Sequence, residues 1–496
     1  MSKKRHSAEP GAKASAGIII LAAGQGKRMK SSLPKVLHSI SGQPLLFHIL
    51  DRVREAAPKA PVAIVVGHGK EQVEAAVRSE AAFSQMDISF AVQKEQKGTG
   101  DAARSAMDTP WGDKILGSKA PVLVLPGDLP LLPKSLIEQM LAPLGRGDAL
   151  RLLTCELPDP TGYGRIVRRG KGGPVQRIVE EKDASLKEKA IREVAASIYC
   201  FQSGFLKTGL GRLSNKNAQG EFYLTDLISQ ASGAPKTAKK KIDVLLWSQP
   251  EDLRGVNDLW ELAQAERILN ERCVKNWAKQ GVRFIDPWST HVDVQVELAE
   301  GIVVQPGAVL SGKTKIGRGT KIGAQVVLKN MTVGEECNIK TGSVAEDSII
   351  ENRVNLGPYA HLRPESRVGS DAKIGNFVEL KKASVGEHTS VAHLSYLGDA
   401  EVGRHVNIGC GFVTCNFDGR VINGSRKHKT IIEDEVFMGS DCQAIAPVRI
   451  GKGSYVASGS TIHEDVEPGA LAIARTRQVT KPGYAAKLKA KQQQEK

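Results

Sequence analysis

From about residue 303 the chain beats at a six-residue period, and that period restricts what its C-terminal half can fold into. An aliphatic residue followed by Gly or another small or polar residue recurs as Ile316-Gly317, Ile322-Gly323, Val333-Gly334, Ile339-Lys340, Leu356-Gly357 and Val368-Gly369. It continues as Ile374-Gly375, Val385-Gly386, Val402-Gly403, Ile408-Gly409 and Ile450-Gly451. Such a beat fits neither a helix nor an ordinary alternating strand. It is the signature of a parallel β-helix, in which each coil buries its aliphatic side chains on those of the coil below. The hexads run to about Ile462, and a basic, proline-containing tail follows.

The N-terminal half reads differently. Residues 17–24 (GIIILAAG) are an apolar run entering a glycine loop, and Val62–Val66 and Val122–Leu125 are further runs of buried-strand type. They alternate with helix-like stretches such as Glu71–Arg78, which predicts an α/β fold with a mostly parallel, Rossmann-like sheet. Residues 260–280 space apolar residues three and four apart without Gly or Pro, as one amphipathic helix does. The expected division is an α/β domain over 1–259, a helical linker over 260–280 and the repeat domain over 281–496.

Lys and Arg number 69 against 54 Asp and Glu, a net charge of +15. The excess attracts anions without saying whether these are nucleic acids, membrane lipids or phosphorylated metabolites. Part of it lies in Lys3, Lys4 and Arg5 and in Lys487, Lys489 and Lys491, which read as solvated, disordered tails. Aromatic residues make up only 5% of the chain and no basic stripe is interleaved with rings, which argues against a nucleic-acid partner. No stretch reaches the roughly 20 apolar residues of a membrane span. The run Ile18–Leu21 is too short for a signal peptide and is broken at once by Gly24–Arg28. Seven cysteines without a CxxC pair suit a reducing cytoplasm better than a disulfide framework or a zinc site.

Two pieces of the N-terminal half carry chemistry. The loop Leu21–Lys35 (LAAGQGKRMKSSLPK) is not a Walker A, because Met29 stands where the second Gly would be, and it lacks the third glycine of a dinucleotide fingerprint. It remains a glycine turn at a strand end with Arg28 and Lys35 just beyond, where main-chain N–H groups and two cations can meet a triphosphate. Taken alone, such loops are more often plain turns. Asp128 in LPGD follows a buried strand, at the crevice where open α/β sheets bind ligands, and suits a Mg²⁺ ion shared with phosphates; a turn-forming Asp is the plainer alternative. In the repeat half, the hexad at Val391 carries His393 and Tyr396. A lone histidine is commonly a surface or packing residue. Here Arg363, Lys381, Asn407 and Asn416 are available to converge on it, and acetyl transfer to an amine needs a base together with cations for phosphorylated substrates.

LAAGxGxRM…PK, Gln93 with Gly98-Thr99-Gly100, Gly127-Asp128, Gly162-Tyr163-Gly164-Arg165 and Ile178–Asp183 (IVEEKD) occur in one order. Gly220–Asp226 (GEFYLTD) and Gly255-Val256-Asn257 follow. This series resembles the sugar-phosphate nucleotidyltransferases. With the hexads attached, residues 17–480 resemble the family of bifunctional bacterial N-acetylglucosamine-1-phosphate uridylyltransferase/glucosamine-1-phosphate N-acetyltransferases. The resemblance implies that Leu21, Ala22, Ala23, Gly24, Gln93, Gly98 and Thr99 hold uracil and ribose. Arg28 and Lys35 would meet phosphates, Gly127 and Asp128 would join the nucleotide site, Asp128 and Asn257 would hold Mg²⁺, and Gly164 and Glu180 would bind the sugar. It further implies His393 as general base, and Arg363, Lys381, Tyr396 and Asn407 around glucosamine-1-phosphate. Cys410, Asn416, Ser440, Ser458 and Arg475 would lie around acetyl-CoA. Lys427 falls between these last two groups. A left-handed, homotrimeric β-helix is implied as well.

The sequence departs from the family pattern in three places. Ala195-Ala196-Ser197 stands for Asn-Thr-Gly, Asn416-Phe417 for Asn-Tyr, and residues 420–426 (RVINGSR) form an insertion. Two rival readings follow from the residues. One is the same fold acting on another nucleotide or sugar, with the repeats serving only oligomerisation. The other is a silent scaffold that binds sugar nucleotides.

Overall fold

Ile18, Ile19 and Ile20 have no exposed surface at all, and they form the centre of a sheet rather than a leader. In the computed structural model, which describes residues 16–170, 172–233, 241–419, 421 and 424–494, the chain divides into two compact units, Met1–Leu269 and Asn270–Lys496. In the first unit, β1 (Gly17–Leu21) pairs in parallel with both β2 (Val62–Val66) and β4 (Pro121–Pro126), and β3 (Ile88–Val92) lies outside β2. Beyond β4 come β8 (Glu193–Gln202), β5 (Asp148–Glu156) and β9 (Lys241–Trp247), in the order β9-β5-β8-β4-β1-β2-β3. A short antiparallel pair, β6 (Gly164–Arg168) and β7 (Val175–Val179), joins the sheet through β8. The aliphatic runs are continuous because both faces of the central strands are covered. One core lies on the face of Ile18, Ile20, Leu123 and Leu125, and a second on that of Ile19, Val122 and Val124.

Strand β8 is irregular. Its register on β5 slips between Ala195 and Tyr199, and Ser197 within the slip has a φ of 58°. A bulge of this kind re-aims side chains locally.

The second unit is a left-handed parallel β-helix of short strands in three parallel sheets of 11, 10 and 9 strands. In each two-residue strand the aliphatic member points inward, so Ile316, Ile322, Ile339, Leu356, Ile374 and Ile408 are all buried in one continuous core. The glycine that follows is a matter of close approach: a Cβ built on Gly375 would lie 1.8 Å from the carbonyl oxygen of Ala392 in the next coil. The repeats begin before residue 303, at Arg283–Phe284, and end after Ile462, at Leu471–Ala472. These outer strands lack the aliphatic-glycine pair and so carry no hexad signal. The 260–280 segment is one helix, Leu259–Lys279, and the break between the two units falls within it.

The C-terminal tail is helical over Tyr484–Gln494, which differs from the expected disorder, although none of its residues is buried. Its lysines thus sit on a solvated helix. Lys3, Lys4 and Arg5 lie outside the described residues, as do Arg420, Ile422 and Asn423 of the insertion. Among the described residues no helix is long and apolar enough to cross a membrane.

Leu380 is wholly buried between Leu362 in one neighbouring coil and Leu397 in the other. Leu380→Ala should therefore cost about 3 kcal/mol locally through the lost side chain and the cavity left behind. Amide hydrogen exchange in the Leu362–Leu397 coils should accelerate by roughly a hundredfold, while exchange in β1 and β2 stays at its wild-type rate.

Candidate functional site

The C-terminal ends of β1 and β4 open into a cleft of about 1000 Å³. Of the residues assigned to the nucleotide half, Leu21, Ala22, Ala23, Gly24, Arg28, Lys35, Gln93, Gly98, Thr99, Asp128, Gly164, Glu180 and Asn257 all line it. Gly127 does not. It lies behind the wall, where its N–H donates to the Leu21 carbonyl at 2.8 Å and a Cβ would strike that same oxygen, so its contribution is to let β1 and β4 close together. Arg28 is exposed at the rim, on the single 3-10 turn Lys27–Met29 that buried Met29 pins down.

At the cleft floor the Lys35 ammonium contacts Asp128 Oδ2 and lies 3.4 Å from Asn257 Oδ1. Asn257 is brought there by the Val256 N–H, which donates to the Asp128 carbonyl at 3.0 Å, and by its own N–H, which donates to Glu261 at 2.6 Å. Two oxygen ligands from distant segments thus converge on one cation. Gln93 is buried and spends its amide hydrogens on the Gly98 carbonyl (3.1 Å) and Asp101 (2.9 Å). Thr99 Oγ1 accepts from the Leu224 N–H at 3.2 Å, tying the start of helix Thr99–Met107 to the 222–224 segment. At the opposite end, Glu180 accepts a 3.0 Å hydrogen bond from Thr225. Burial raises its carboxyl above the ordinary range, and the Thr225 bond only partly offsets this.

The cleft also takes in Gln96, Tyr163, Tyr199, Tyr223 and Thr225, which sequence reasoning did not single out as site residues. The GYGR and GEFYLTD segments were the available signal for Tyr163, Tyr223 and Thr225. Ala195 and Ala196 line the cleft as well.

In the β-helix the candidate residues lie along two corners of one sheet. His393, Cys410, Ser440 and Ser458 follow one another up the first corner: the Asp441 N–H donates to the Cys410 carbonyl at 2.7 Å, and the Ser440 N–H to Ser458 Oγ at 3.2 Å. Exposed Arg475 follows the last of these coils. Arg363 and Lys381 stack at the second corner, with Asn416 beyond them. Tyr396 stands on the strand between, its phenol raised mainly by burial and eased by a hydrogen bond with Asn416. Both groups hang over Gly398, where a Cβ would lie 2.4 Å from the Tyr396 oxygen. Arg363 donates to Glu379 at 3.0 Å.

His393 is exposed, with Nδ1 2.7 Å from the Asn376 side-chain Oδ1; Nδ1 as the donor leaves Nε2 a free lone pair. Asn407 sits apart, exposed on the neighbouring sheet between Ser390 and Phe437. Lys427 is exposed, with its ammonium 4.5 Å from the centre of the Phe417 ring. A shallower depression of about 430 Å³ on the third sheet, around Glu401, Ile431 and Lys452, includes none of these residues.

A mostly parallel sheet with a cleft at its strand ends, followed by a hexapeptide β-helix, defines the class as a two-site transferase. Residues 18–163 match the MobA-like NTP transferase domain and residues 292–392 the GMPPB C-terminal domain. The bifunctional protein GlmU of Pelobacter propionicus is 44% identical over 474 residues, covering 95% of this chain and 98% of that protein. Those of Trichlorobacter lovleyi and Halalkalibacterium halodurans are each 43% identical, again over 95% of this chain and 98% of theirs. The chain belongs to the GlmU family. It is a bifunctional enzyme, a uridylyltransferase in its N-terminal half and an acetyltransferase in its hexapeptide-repeat half.

A carboxyl group whose folded pKa is raised contributes stability below its unfolded pKa and loses it as the pH rises through the folded value. Glu180→Gln keeps the acceptor for Thr225 but cannot ionise. It should melt a few degrees above wild type near neutral pH, with the gap closing as the pH falls into the carboxyl range. Differential scanning calorimetry across that span measures both.

Proposed function

We propose that the N-terminal cleft transfers the uridylyl group of UTP to N-acetylglucosamine-1-phosphate, and that the His393 corner acetylates glucosamine-1-phosphate beforehand. The observation that carries the first half is the convergence of Asp128 and Asn257 on a single cation. Hard oxygen donors around a positive charge fit Mg²⁺, with Lys35 as the stand-in. When bound there, Mg²⁺ supplies charge neutralisation for the phosphates.

The chain's own groups do the rest. Main-chain N–H groups at Ala23 and Gly24 cradle the nucleotide, and Gln93 and Thr99, with Gly98, shape the base pocket. Lys35 turns from Asp128 to the phosphates, and Arg28 at the rim meets the same charge. Gly164 leaves room beside Glu180, where a Cβ would stand 3.5 Å from the carboxylate, so that Glu180 can face the sugar. The sugar phosphate oxygen then attacks the α-phosphorus in line and pyrophosphate leaves; the protein contributes position and charge rather than a covalent intermediate.

At the second site, His393 Nε2 takes the proton as the sugar amine attacks the thioester carbonyl, and the CoA thiolate departs. Arg363, Lys381, Tyr396 and Asn416 offer cation and hydrogen-bond partners along one corner, with Lys427 nearby on the surface. Cys410, Ser440, Ser458 and Arg475 form the other. Asn407 lies on a different sheet from Tyr396, which supports a homotrimer in which neighbouring copies complete each site. Catalytic domains over 1–259 and 281–496, joined by the 260–280 arm, are part of this reading, as is a cytoplasmic location.

Asp128→Ala should lower uridylyl transfer by about a thousandfold and leave acetyl transfer unchanged. His393→Ala should lower acetyl transfer by about 10²–10⁴-fold and spare uridylyl transfer. Separate assays of pyrophosphate and CoA release decide the matter; loss of both activities in either folded variant would refute two independent sites.

A further inference from the structure

Nine buried side-chain nitrogen or oxygen atoms have no hydrogen-bond partner among the described residues, and of these only the Tyr199 hydroxyl belongs to a residue lining the cleft. Tyr199 is 1% exposed. Burial raises the phenol and Ser197 partly offsets this, but no side chain meets the hydroxyl at full hydrogen-bond geometry. A buried, unmatched hydroxyl on a cleft wall is a costly arrangement unless something else fills its partner's place. Its charged neighbour is Glu180, and Ala195, 4% exposed, lines the cleft from the same core face as Tyr199. A hydroxyl donor beside an alanine methyl complements an acetamido group, which presents a carbonyl oxygen beside a methyl.

We propose that Tyr199 is a specificity-determining residue for uridylyl transfer: its hydroxyl donates to the acetamido carbonyl of the sugar phosphate, and Ala195 receives the methyl. This rests on the reading of the cleft as the uridylyl-transfer site. The bulge between Ala195 and Tyr199, with Ser197 at a φ of 58°, brings these side chains to one wall although they are four residues apart on a strand.

The test is Tyr199→Phe, which keeps the ring and its stacking on Phe201 at 5.5 Å. With UTP saturating, kcat/KM for N-acetylglucosamine-1-phosphate should fall about tenfold, while that for glucose-1-phosphate and the KM for UTP change by less than about twofold. Calorimetric binding of UDP-N-acetylglucosamine against UDP-glucose gives the same comparison without turnover. An unchanged preference, or an equal loss for both sugars, overturns the proposal. A wild-type enzyme that neither uridylylates nor binds either sugar overturns the reading of the cleft and the proposal with it.

Discussion

Parallel backbone pairing is the constraint on which both halves depend. In the first unit, β1 is held in register between β2 and β4, so their C-terminal ends finish at one edge. The glycine loop after β1 and Asp128 after β4 then share a crevice without any contact between their own side chains being needed to bring them there. In the second unit the same pairing repeats coil upon coil, and residues separated by a whole turn become vertical neighbours, as Asn376 and His393 do. One rule of hydrogen bonding thus places a cleft at the strand ends in one domain and a column of polar corner residues in the other.

Charge is distributed according to the same division. The net positive balance of the chain is general, but at the cleft floor it resolves into one pair, Lys35 against Asp128, with 14% and 20% side-chain exposure. A pair so placed is screened enough to part and close enough to keep the carboxylate facing inward. At the sugar end the balance reverses. Glu180 is held in low-dielectric surroundings by β7 and the Thr225 segment, with Asp183, Asp226 and Glu221 further disfavouring its charge. The two ends of the cleft thus differ: a paired cation and carboxylate at the floor, and a buried, charge-disfavoured carboxyl at the Glu180 end.

Much of this was legible in the residues. The hexads gave the coil because every inward position must be aliphatic and every crowded corner small, a demand strong enough to print itself on the sequence. The outer coils, such as Arg283–Phe284 and Leu471–Ala472, were missed because they are crowded on one side only. The ends of β1 and β4 were readable because a continuous apolar run followed by Gly or Asp has few other uses. Tyr199 was not readable. It sits in the apolar run of β8, and only the bulge, invisible in a one-dimensional pattern, borders it on the cleft. At Gly127 the visible demand is strand approach, since a Cβ there would strike the Leu21 carbonyl. The C-terminal lysines read as disorder because charge spacing on a helix without a buried face resembles that of a coil.

Successive coils advance by seventeen residues where Ser384 pairs with Glu401, yet Ala400 pairs with Thr430 and Val402 with Ile432. The extra length is absorbed entirely in the loop between Cys415 and Thr430, and the stack resumes unshifted above it. A scaffold that can be lengthened at one turn without disturbing the floors above or below accepts new segments cheaply. Its outer edges can then diversify between lineages, or be regrafted by design, while the load of the column still passes straight down its apolar shaft.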